Sequence, residues 1–116
     1  MTTRRNKGKR GEDLAVAALE KAGYRVVVRN WRCADGEIDV VAMHRGDVVI
    51  VEVRARVDGA EAALESITPR KRARLERLAQ AYLIANELEN APFRVDVVAV
   101  DLKSASAEII EDAVGW

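Results

Sequence analysis

The chain has 116 residues, of which 49% are hydrophobic and 33% are charged, a composition typical of one folded domain with its own core. Its single cysteine, Cys33, excludes an internal disulfide, and no cluster of cysteine and histidine has zinc-site spacing. The formal net charge is zero, but residues 1–77 carry 17 basic and 12 acidic side chains, whereas residues 78–116 carry 2 basic and 7 acidic ones. Such asymmetry favours a protein with one face toward a polyanion.

The chain is expected to be one cytoplasmic domain. No segment has the pattern of a signal peptide or the length of a membrane span, so we expect no membrane association. The domain should cover residues 1–116. Residues 1–7 should form a flexible basic arm, and residues 102–116 a peripheral acidic segment.

The N-terminal third predicts a helix followed by a strand. Hydrophobic residues at helical spacing indicate a helix from Lys7 to Ala22. Gly23 should end it, because glycine adopts the left-handed backbone of a helix stop at little cost. The valine-rich segment Tyr24–Arg29 predicts a strand, and Asn30–Gly36 has the composition of a loop.

A hairpin is the clearest element of the sequence. The segments Ile38–Met43 and Val48–Val53 read as strands, and between them His44–Asp47 is a turn signal. Side chains alternate along a strand, so Ile38 and Val40 are expected on the same, fully apolar face of the hairpin.

The second half predicts one more helix and further strands. Val57–Ser66 should be a loop with at most one short helical piece. A helix should follow the N-cap Thr68 and end near Glu89. Phe93–Asp101 predicts a strand and Glu108–Glu111 an edge strand. A hairpin apolar on both faces needs cover on both sides, so the expected fold class is α/β, a mixed sheet with a central hairpin flanked by helices.

Two carboxylates face each other across this hairpin. A loop of either two or four residues pairs positions whose numbers sum to 91, so Asp39 faces Glu52 and Glu37 faces Arg54. Opposed like charges about 5 Å apart are unfavourable, and burial makes them worse unless a proton or a cation lies between them. Mg²⁺ suits a site with few protein carboxylates because it keeps waters and phosphate oxygens as its other ligands. The pattern therefore predicts a site for Mg²⁺, or for Mn²⁺ in its place.

Other arrangements of these acids stay open. Both can be solvated at a strand end, with Arg54 bridging Glu37 and Glu52, since ion-pair networks imitate functional sites. A three-residue loop would shift the register and separate Asp39 from Glu52.

Several short segments resemble one known family. They are Arg10-Gly11-Glu12, Asn30-Trp31-Arg32, Gly36-Glu37-Ile38-Asp39, Val51-Glu52-Val53-Arg54-Ala55-Arg56, Pro69-Arg70-Lys71 and Arg94-Val95-Asp96-Val97-Val98. Over residues 8–101 the chain resembles the bacterial YraN-type family of predicted nucleases, which is similar to archaeal Holliday-junction resolvases and the PD-(D/E)XK superfamily. This resemblance implies a restriction-endonuclease-like core. It also implies a metal-dependent endonuclease that hydrolyses phosphodiester bonds in branched or structured DNA.

The resemblance also implies roles for individual residues. Asp39 and Glu52 match the metal-binding acids, the carbonyl of Val53 is implied as a further ligand, and Glu12 matches an acid that completes the site in resolvase-like members. Arg54 departs from the family pattern, since it stands where the motif has lysine. Arginine stays protonated and cannot act as a base, although it can stabilise charge that develops on a phosphoryl group.

Basic residues gather on the second helix and near the N-terminus. On the helix, Arg70, Arg74 and Arg77 form a stripe that can grip phosphates without reading sequence. Lys71 either reaches the candidate site or covers the edge of the core with its stem. The complete set of expected nucleic-acid contacts is Lys9, Arg10, Arg56, Arg70, Lys71, Arg74 and Arg77. A solvated helix face is the ordinary alternative for each arginine of the helix.

The aromatic residues bear on the nucleic acid. They make up 4% of the chain, which argues against a stacking platform for single strands, so duplex or branched DNA is expected. Trp31 is expected to anchor the core rather than to stack on bases. The single histidine, His44, should have no catalytic role because it lies in the turn, far from Asp39.

Three functions remain open from the sequence. The first is a Mg²⁺-dependent nuclease that acts on structured DNA. The second is a nucleic-acid-binding module of nuclease-like fold, inactive because Arg54 replaces lysine. The third is a protein-interaction domain whose acidic C-terminal third meets the partner. The resolvase resemblance also implies a homodimer, since symmetric cutting of two strands suits a two-fold axis.

Overall fold

A five-stranded mixed sheet forms the middle layer of the computed structural model, which describes residues 4–55 and 58–114. The elements are α1 (Arg4–Lys21), β1 (Arg25–Cys33), β2 (Gly36–His44), β3 (Asp47–Ala55), α2 (Gly59–Glu65), α3 (Pro69–Ala85), β4 (Phe93–Asp101) and β5 (Ser106–Ile110). The strands lie in chain order, with β3 and β4 parallel and the other neighbours antiparallel. The expected α/β class, a mixed sheet with a central hairpin flanked by helices, is confirmed.

The hairpin of β2 and β3 has the predicted register. Its loop is the two-residue one, and both loop residues have positive φ, 52° at Arg45 and 83° at Gly46. That backbone matches the right-handed twist of the two strands. The pairs run from His44 opposite Asp47 to Val40 opposite Val51. His44 therefore closes strand β2 and does not belong to the loop.

Each face of the sheet is covered by one long helix. The α3 face carries a core that includes Val41, Ile50 and Leu78, and the α1 face carries one that includes Leu19 and Val49. All five are nearly inaccessible to solvent. The two cores together explain why the hairpin strands are apolar on both sides.

One residue of the hairpin is on the other face from the one predicted. Ile38 is buried in the α3-face core, whereas Val40 is buried in the α1-face core. The expectation that both share a face was wrong, because the strand alternation is broken between them, at Asp39. Opposite this point, Asn30 of β1 has a left-handed backbone with φ of 55°.

Helix α1 begins earlier than predicted and ends where predicted. It starts at Arg4 rather than Lys7, so residues 4–7 of the predicted flexible arm are helical, while residues 1–3 lie outside the described residues. The stop has the geometry of a Schellman motif. Gly23 has φ of 92°. The N–H of Gly23 donates to the carbonyl of Glu20 at 3.1 Å, and the N–H of Tyr24 donates to the carbonyl of Leu19 at 2.9 Å.

The predicted loop at Asn30–Gly36 was too long. Strand β1 continues to Cys33 and pairs with β2 down to Gly36. The continuation was missed because Asn30, a residue type that is depleted in strands, interrupts the valine-rich run. Trp31 lies half-buried on this strand, with its ring edge-on to that of Tyr82 at 5.2 Å between centroids, so it packs on the α3-face core as expected of an anchor.

Helix α3 has the predicted start but a shorter length. Thr68 is the N-cap, and its Oγ1 accepts a hydrogen bond from the N–H of Lys71 at 3.2 Å. The helix ends at Ala85 rather than near Glu89. Glu87 takes a left-handed backbone with φ of 57°, and the N–H of Leu88 bonds to the carbonyl of Leu83 at 2.7 Å. A helix stop without glycine leaves no clear signal in the sequence.

The C-terminal segment takes part in the sheet and the core. Strand β5 spans Ser106–Ile110, slightly before the predicted Glu108–Glu111, and pairs with β4 at the edge of the sheet. Val114 is 2% exposed and belongs to the α3-face core. Within the described residues, no helix is long and apolar enough to cross a bilayer.

A buried polar network fastens the turn end of the hairpin to β4. Asp96 has no exposed surface. Its carboxylate accepts hydrogen bonds from Tyr24 Oη at 2.7 Å, Arg94 Nε at 3.0 Å and the N–H of Asp112 at 2.9 Å. The ring of His44 stacks on that of Tyr24, with centroids 3.8 Å apart. His44 thus has a structural position in this network, and the expectation that it is not catalytic stays a prediction.

Asp96→Asn should lower the free energy of unfolding by about 3 kcal/mol, because it leaves the partly buried Arg94 without its inner counter-ion. Glu111→Gln is the matched control: Glu111 approaches the same arginine at 3.5 Å but is 45% exposed, so its loss should cost under about 1 kcal/mol. Urea unfolding measures both. Equal costs would contradict a special role for Asp96.

Candidate metal and nucleic-acid site

The candidate site lies where β2 parts from β3. Their pairing ends at Val40 opposite Val51, although β2 extends back to Gly36 and β3 extends on to Ala55. Over this stretch β3 stays in register with β4 and β2 stays paired with β1, so the sheet opens between β2 and β3. The N–H of Val53 donates instead to Oδ2 of Asp39 at 2.8 Å. The side chain of Asp39 thereby occupies the fork between the two strands.

Asp39 and Glu52 interact directly at this fork. The pKa of Asp39 is raised to about 8, first by burial, then by a hydrogen bond with Glu52 and the charge of Glu52, and to a smaller extent by the charge of Glu12. The N–H of Val53 opposes the shift. The fold therefore brings the two carboxyl groups together as predicted, and this proximity disfavours loss of the proton from Asp39.

The alternative in which Arg54 bridges the acids does not occur. Its Nε donates to Oγ of Ser66 at 3.1 Å, and Glu37 accepts from Arg32 Nε at 3.0 Å and Asn30 Nδ2 at 2.8 Å. Over residues 4–55 and 58–114, no lysine or arginine forms an ion pair with Asp39 or Glu52. Two close carboxylates without a basic partner are a donor set that a hard divalent cation would satisfy.

The protein ligands at this position are few. No group of three or more His, Cys, Asp or Glu side chains in the described part of the chain is arranged to hold a metal ion. The pair of Asp39 and Glu52 fits Mg²⁺, which commonly binds one or two carboxylates and takes its remaining oxygens from carbonyl groups, water and phosphate. The carbonyl of Val53 as a ligand stays a prediction.

Glu12 lies near the pair, but its oxygens are already engaged. Its carboxylate on α1 accepts from Arg29 Nε at 2.8 Å and from Asn30 Nδ2 at 2.7 Å. It lines the same groove as Asp39 and contributes to the raised pKa of that residue. Its role in completing the site stays a prediction.

Arg29 and Asn30 belong to the site, although the sequence did not predict a role for either. Asn30 uses its Nδ2 to bond both Glu12 and Glu37, and its backbone is left-handed, with φ of 55°. Arg29 also bonds Asp13 at 2.6 Å. The segment Asn30-Trp31-Arg32 was part of the family resemblance, which was the available signal for a function at these positions.

Two grooves meet at Asp39. The α1 groove, about 700 Å³, lies beside α1 and is lined by residues that include Lys9, Glu12 and Arg29. The α3 groove, about 360 Å³, lies beside α3 and is lined by Glu37, Asp39, Glu52, Arg54, Lys71, Arg74 and Leu75. Both grooves are lined by Glu37 and Asp39, so they meet at the acids.

The predicted nucleic-acid contacts are divided between these places. Lys71 and Arg74 line the α3 groove, and the guanidinium of Arg74 lies over Gly36, where a Cβ would come within 2.9 Å of it. Lys9 lines the α1 groove and pairs with Asp13 at 3.5 Å.

The other predicted contacts lie away from the acids or cannot be placed. Arg70 and Arg77 are exposed on α3 and line neither groove. Arg10 bonds the carbonyl of Leu102 at 3.0 Å, and Arg56 lies outside the described residues.

Comparison with known proteins places the chain in a family. Residues 11–100 match the model of the uncharacterised protein family UPF0102. The chain belongs to this family. UPF0102 is the YraN-type family that the sequence motifs resemble.

Several UPF0102 proteins are similar to the chain over nearly its full length. One from Roseiflexus castenholzii is 51% identical over 113 residues, which is 94% of this chain and 90% of the relative. One from Moorella thermoacetica is 44% identical over 116 residues, which is 96% of this chain and 97% of the relative. The family match covers the fork, the α3 groove, the start of α3 and the α1 groove apart from Gly8 and Lys9.

Two solved structures are similar to the chain at a low level. One is an fdxN element excision controlling factor protein from Anabaena variabilis, with a TM-score of 0.47, 13% identity and coverage of 88% of this chain and 98% of that one. The other is an XisH family protein from Nostoc punctiforme, with a TM-score of 0.45, 14% identity and coverage of 87% and 98%.

The raised pKa of Asp39 predicts a pH-dependent stability of the metal-free protein. Between its ordinary pKa of 3.8 and about 8, the folded chain holds a proton that the unfolded chain has released. The free energy of unfolding should therefore fall as the pH rises through this window. Asp39→Asn cannot lose a proton and keeps an oxygen for the N–H of Val53, so it should lack this decline and be more stable than wild type at pH 8.

Thermal unfolding in EDTA at pH 5 and pH 8 measures this effect. Glu20→Gln, an exposed substitution on α1 outside both grooves, should keep the wild-type pH dependence. If the Tm of Asp39→Asn declined with pH as much as that of wild type, the raised pKa of the Asp39 carboxyl would not be the cause of the decline.

Proposed function

We propose that this protein is a metal-dependent nuclease that hydrolyses phosphodiester bonds in DNA, and that duplexes with branches or other structure are its substrates. The observation that carries the proposal is the pairing of Asp39 with Glu52 at the fork of β2 and β3, without a basic partner among the described residues. Membership of the YraN-type family supports it. We further propose that it acts in the cytoplasm.

The chemistry follows from the groups around the fork. Asp39 and Glu52 would hold Mg²⁺ or Mn²⁺, with the carbonyl of Val53 as a further oxygen ligand. A divalent cation supplies Lewis-acid chemistry, because it acidifies water and neutralises charge on a phosphodiester. Arg54, whose guanidinium stays protonated, would stabilise the charge that develops on phosphorus. Glu12, fixed by Arg29 and Asn30, would orient water on the α1 side.

The surroundings of the acids favour a duplex substrate. Arg74 lines the α3 groove, and Arg70 and Arg77 are exposed on the same helix farther from the acids. All three can contact phosphates without reading bases. Trp31 packs against Tyr82 rather than presenting its ring to a base, so the aromatic stacking typical of single-strand binders is not available from it.

Asp39→Ala and Glu52→Ala should each lower Mg²⁺-dependent cleavage of a branched duplex by at least about 10²-fold, because either change removes a ligand of the cation. Asp35→Ala is the control, as Asp35 is an exposed acid in the turn between β1 and β2 that lines neither groove. Gel-based cleavage assays with Mg²⁺ and Mn²⁺ measure this, and Tm confirms folding. Cleavage by both alanine variants at the wild-type rate would refute the proposal.

A second candidate, a nucleic-acid-binding module without activity, is favoured by one observation. Arg54 occupies the lysine position of the motif, and its Nε is bonded to Ser66 rather than directed at the acids. This candidate predicts salt-sensitive DNA binding without cleavage by wild type under Mg²⁺ or Mn²⁺.

Under the second candidate, Arg54→Lys should gain cleavage, because the ammonium group restores the motif. Binding measured by anisotropy beside cleavage on the same substrate distinguishes the two candidates. Asp39→Ala in the Arg54→Lys background is the control, since any activity gained must need the acid. Cleavage by wild type would exclude the inactive module.

We also propose a two-fold homodimer, in which two copies of the fork would act on the two strands of a branched duplex. The support for it is the resolvase resemblance, and light scattering of the purified protein would measure the oligomeric state directly.

A further inference from the structure

We propose that Lys71 of α3 takes the role of the motif lysine that Arg54 has replaced, so that its ammonium group contacts the scissile phosphate beside the acids. This inference rests on the proposed nuclease function. In this proposal the ammonium group comes from helix α3, whereas the motif places its lysine on strand β3. The observation behind it is that Lys71 lines the α3 groove together with Asp39 and Glu52.

The fold fixes the direction of Lys71. Its own N–H is held by the N-cap Thr68 at 3.2 Å, which anchors the first turn of α3. Leu75, one turn later on the same helical line, is 5% exposed and packs in the α3-face core. The stem of Lys71 therefore runs beside the core, and its head reaches the groove between helix and fork.

Arg54 does not supply the ammonium contact of the motif lysine, although its guanidinium can still stabilise developing charge. Its Nε bonds Ser66 Oγ, which itself donates to the carbonyl of Ala63 at 2.6 Å. The guanidinium is thus partly held at the junction of α2 and α3. A guanidinium is also planar and permanently charged, so it does not reproduce the compact point charge of an ammonium group.

Lys71 has donors available for a ligand. Among the described side chains, none forms a recorded hydrogen bond or ion pair with its ammonium group, whereas Arg29, Arg32 and Arg94 are engaged by carboxylates. Three N–H donors in a groove that also holds the candidate cation ligands suit a phosphate oxygen shared between the two charges.

The ordinary alternative is a lysine whose stem covers the rim of the core. In that case removing the charge would change neither cleavage nor the salt dependence of DNA binding. Lys71→Met separates the two explanations, because methionine keeps most of the apolar stem and removes only the ammonium group. Arg72→Met is the matched control, since Arg72 is an exposed cation on the same helical turn that does not line the α3 groove.

Lys71→Met should lower kcat on a branched duplex by about 10²-fold, similar to the loss of one donor to transition-state charge, with a much smaller change in KM. Arg72→Met should stay near the wild-type rate. The double variant Arg54→Lys, Lys71→Met should regain most of the lost activity, because an ammonium group is returned to the fork from the strand side. Equal rates for Lys71→Met and Arg72→Met, or no recovery in the double variant, would overturn the proposal.

A binding measurement tests the same contact without activity. In an Asp39→Asn background, Lys71→Met should reduce the slope of log Kd against log salt by about 0.9, the value for one lost phosphate contact on duplex DNA. Arg72→Met should leave that slope unchanged. An unchanged slope in Lys71→Met assigns the residue a structural role and overturns the proposal, whatever its cleavage rate.

The two proposals fail in different ways. A wild-type protein that binds DNA but never cleaves it refutes the nuclease function, while the salt slope still decides whether Lys71 contacts phosphate. A wild-type protein that cleaves at a rate insensitive to Lys71→Met keeps the nuclease function and refutes the role of Lys71. A wild-type protein that binds no DNA overturns both.

Discussion

The departure of β2 from β3 at Asp39 is the constraint on which the rest of the site depends. Strand β3 remains paired with β4 through Ala55, and β2 remains paired with β1 down to Gly36, so both strands stay in the sheet where their mutual pairing ends. The vacated ladder position is filled by the bond from the N–H of Val53 to Asp39. The Asp39 side chain therefore accepts the hydrogen bond that the N–H of Val53 would otherwise lack, and this bond holds it beside Glu52. This is how an otherwise apolar sheet accommodates two acids where β2 and β3 separate.

The two helices form a groove on each side of this fork. Helix α1 brings Glu12 toward one side of Asp39, and helix α3 brings Lys71 and Arg74 toward the other. Their apolar residues cover opposite faces of the same hairpin, so the groove residues are set by the packing that stabilises the fold. Charges on the α1 side are mostly paired within the protein, as for Arg29 with Glu12. Lys71 and Arg74 on the α3 side have no recorded ion pair among the described residues, which makes that side the more suitable one for a phosphate.

The parts of the site that follow local rules could be predicted from the sequence, and the parts set by irregular backbone could not. The hairpin register followed from strand alternation and the turn at Arg45 and Gly46. Alternation then failed at Asp39, where Ile38 and Val40 are on opposite faces, because a break in pairing has no compositional signal. The left-handed backbone of Asn30 likewise has no signal in the composition, so the positions of Arg29 and Asn30 at the site were not predicted. Distances along the sequence also hid the bond between Asn30 and Glu12, 18 residues apart.

Asp39 and Asp96 show why sequence context does not separate a structural acid from a functional one. Each is a lone aspartate between aliphatic residues in a buried strand. Asp96 receives three donors, from Tyr24, Arg94 and the N–H of Asp112, so its charge is balanced by the protein. Asp39 receives one backbone donor and has another carboxyl group as its neighbour. A buried acid that the fold leaves uncompensated costs stability. A ligand that supplies the missing positive charge would remove this cost, which is the physical basis for proposing a functional role for Asp39 and a structural one for Asp96.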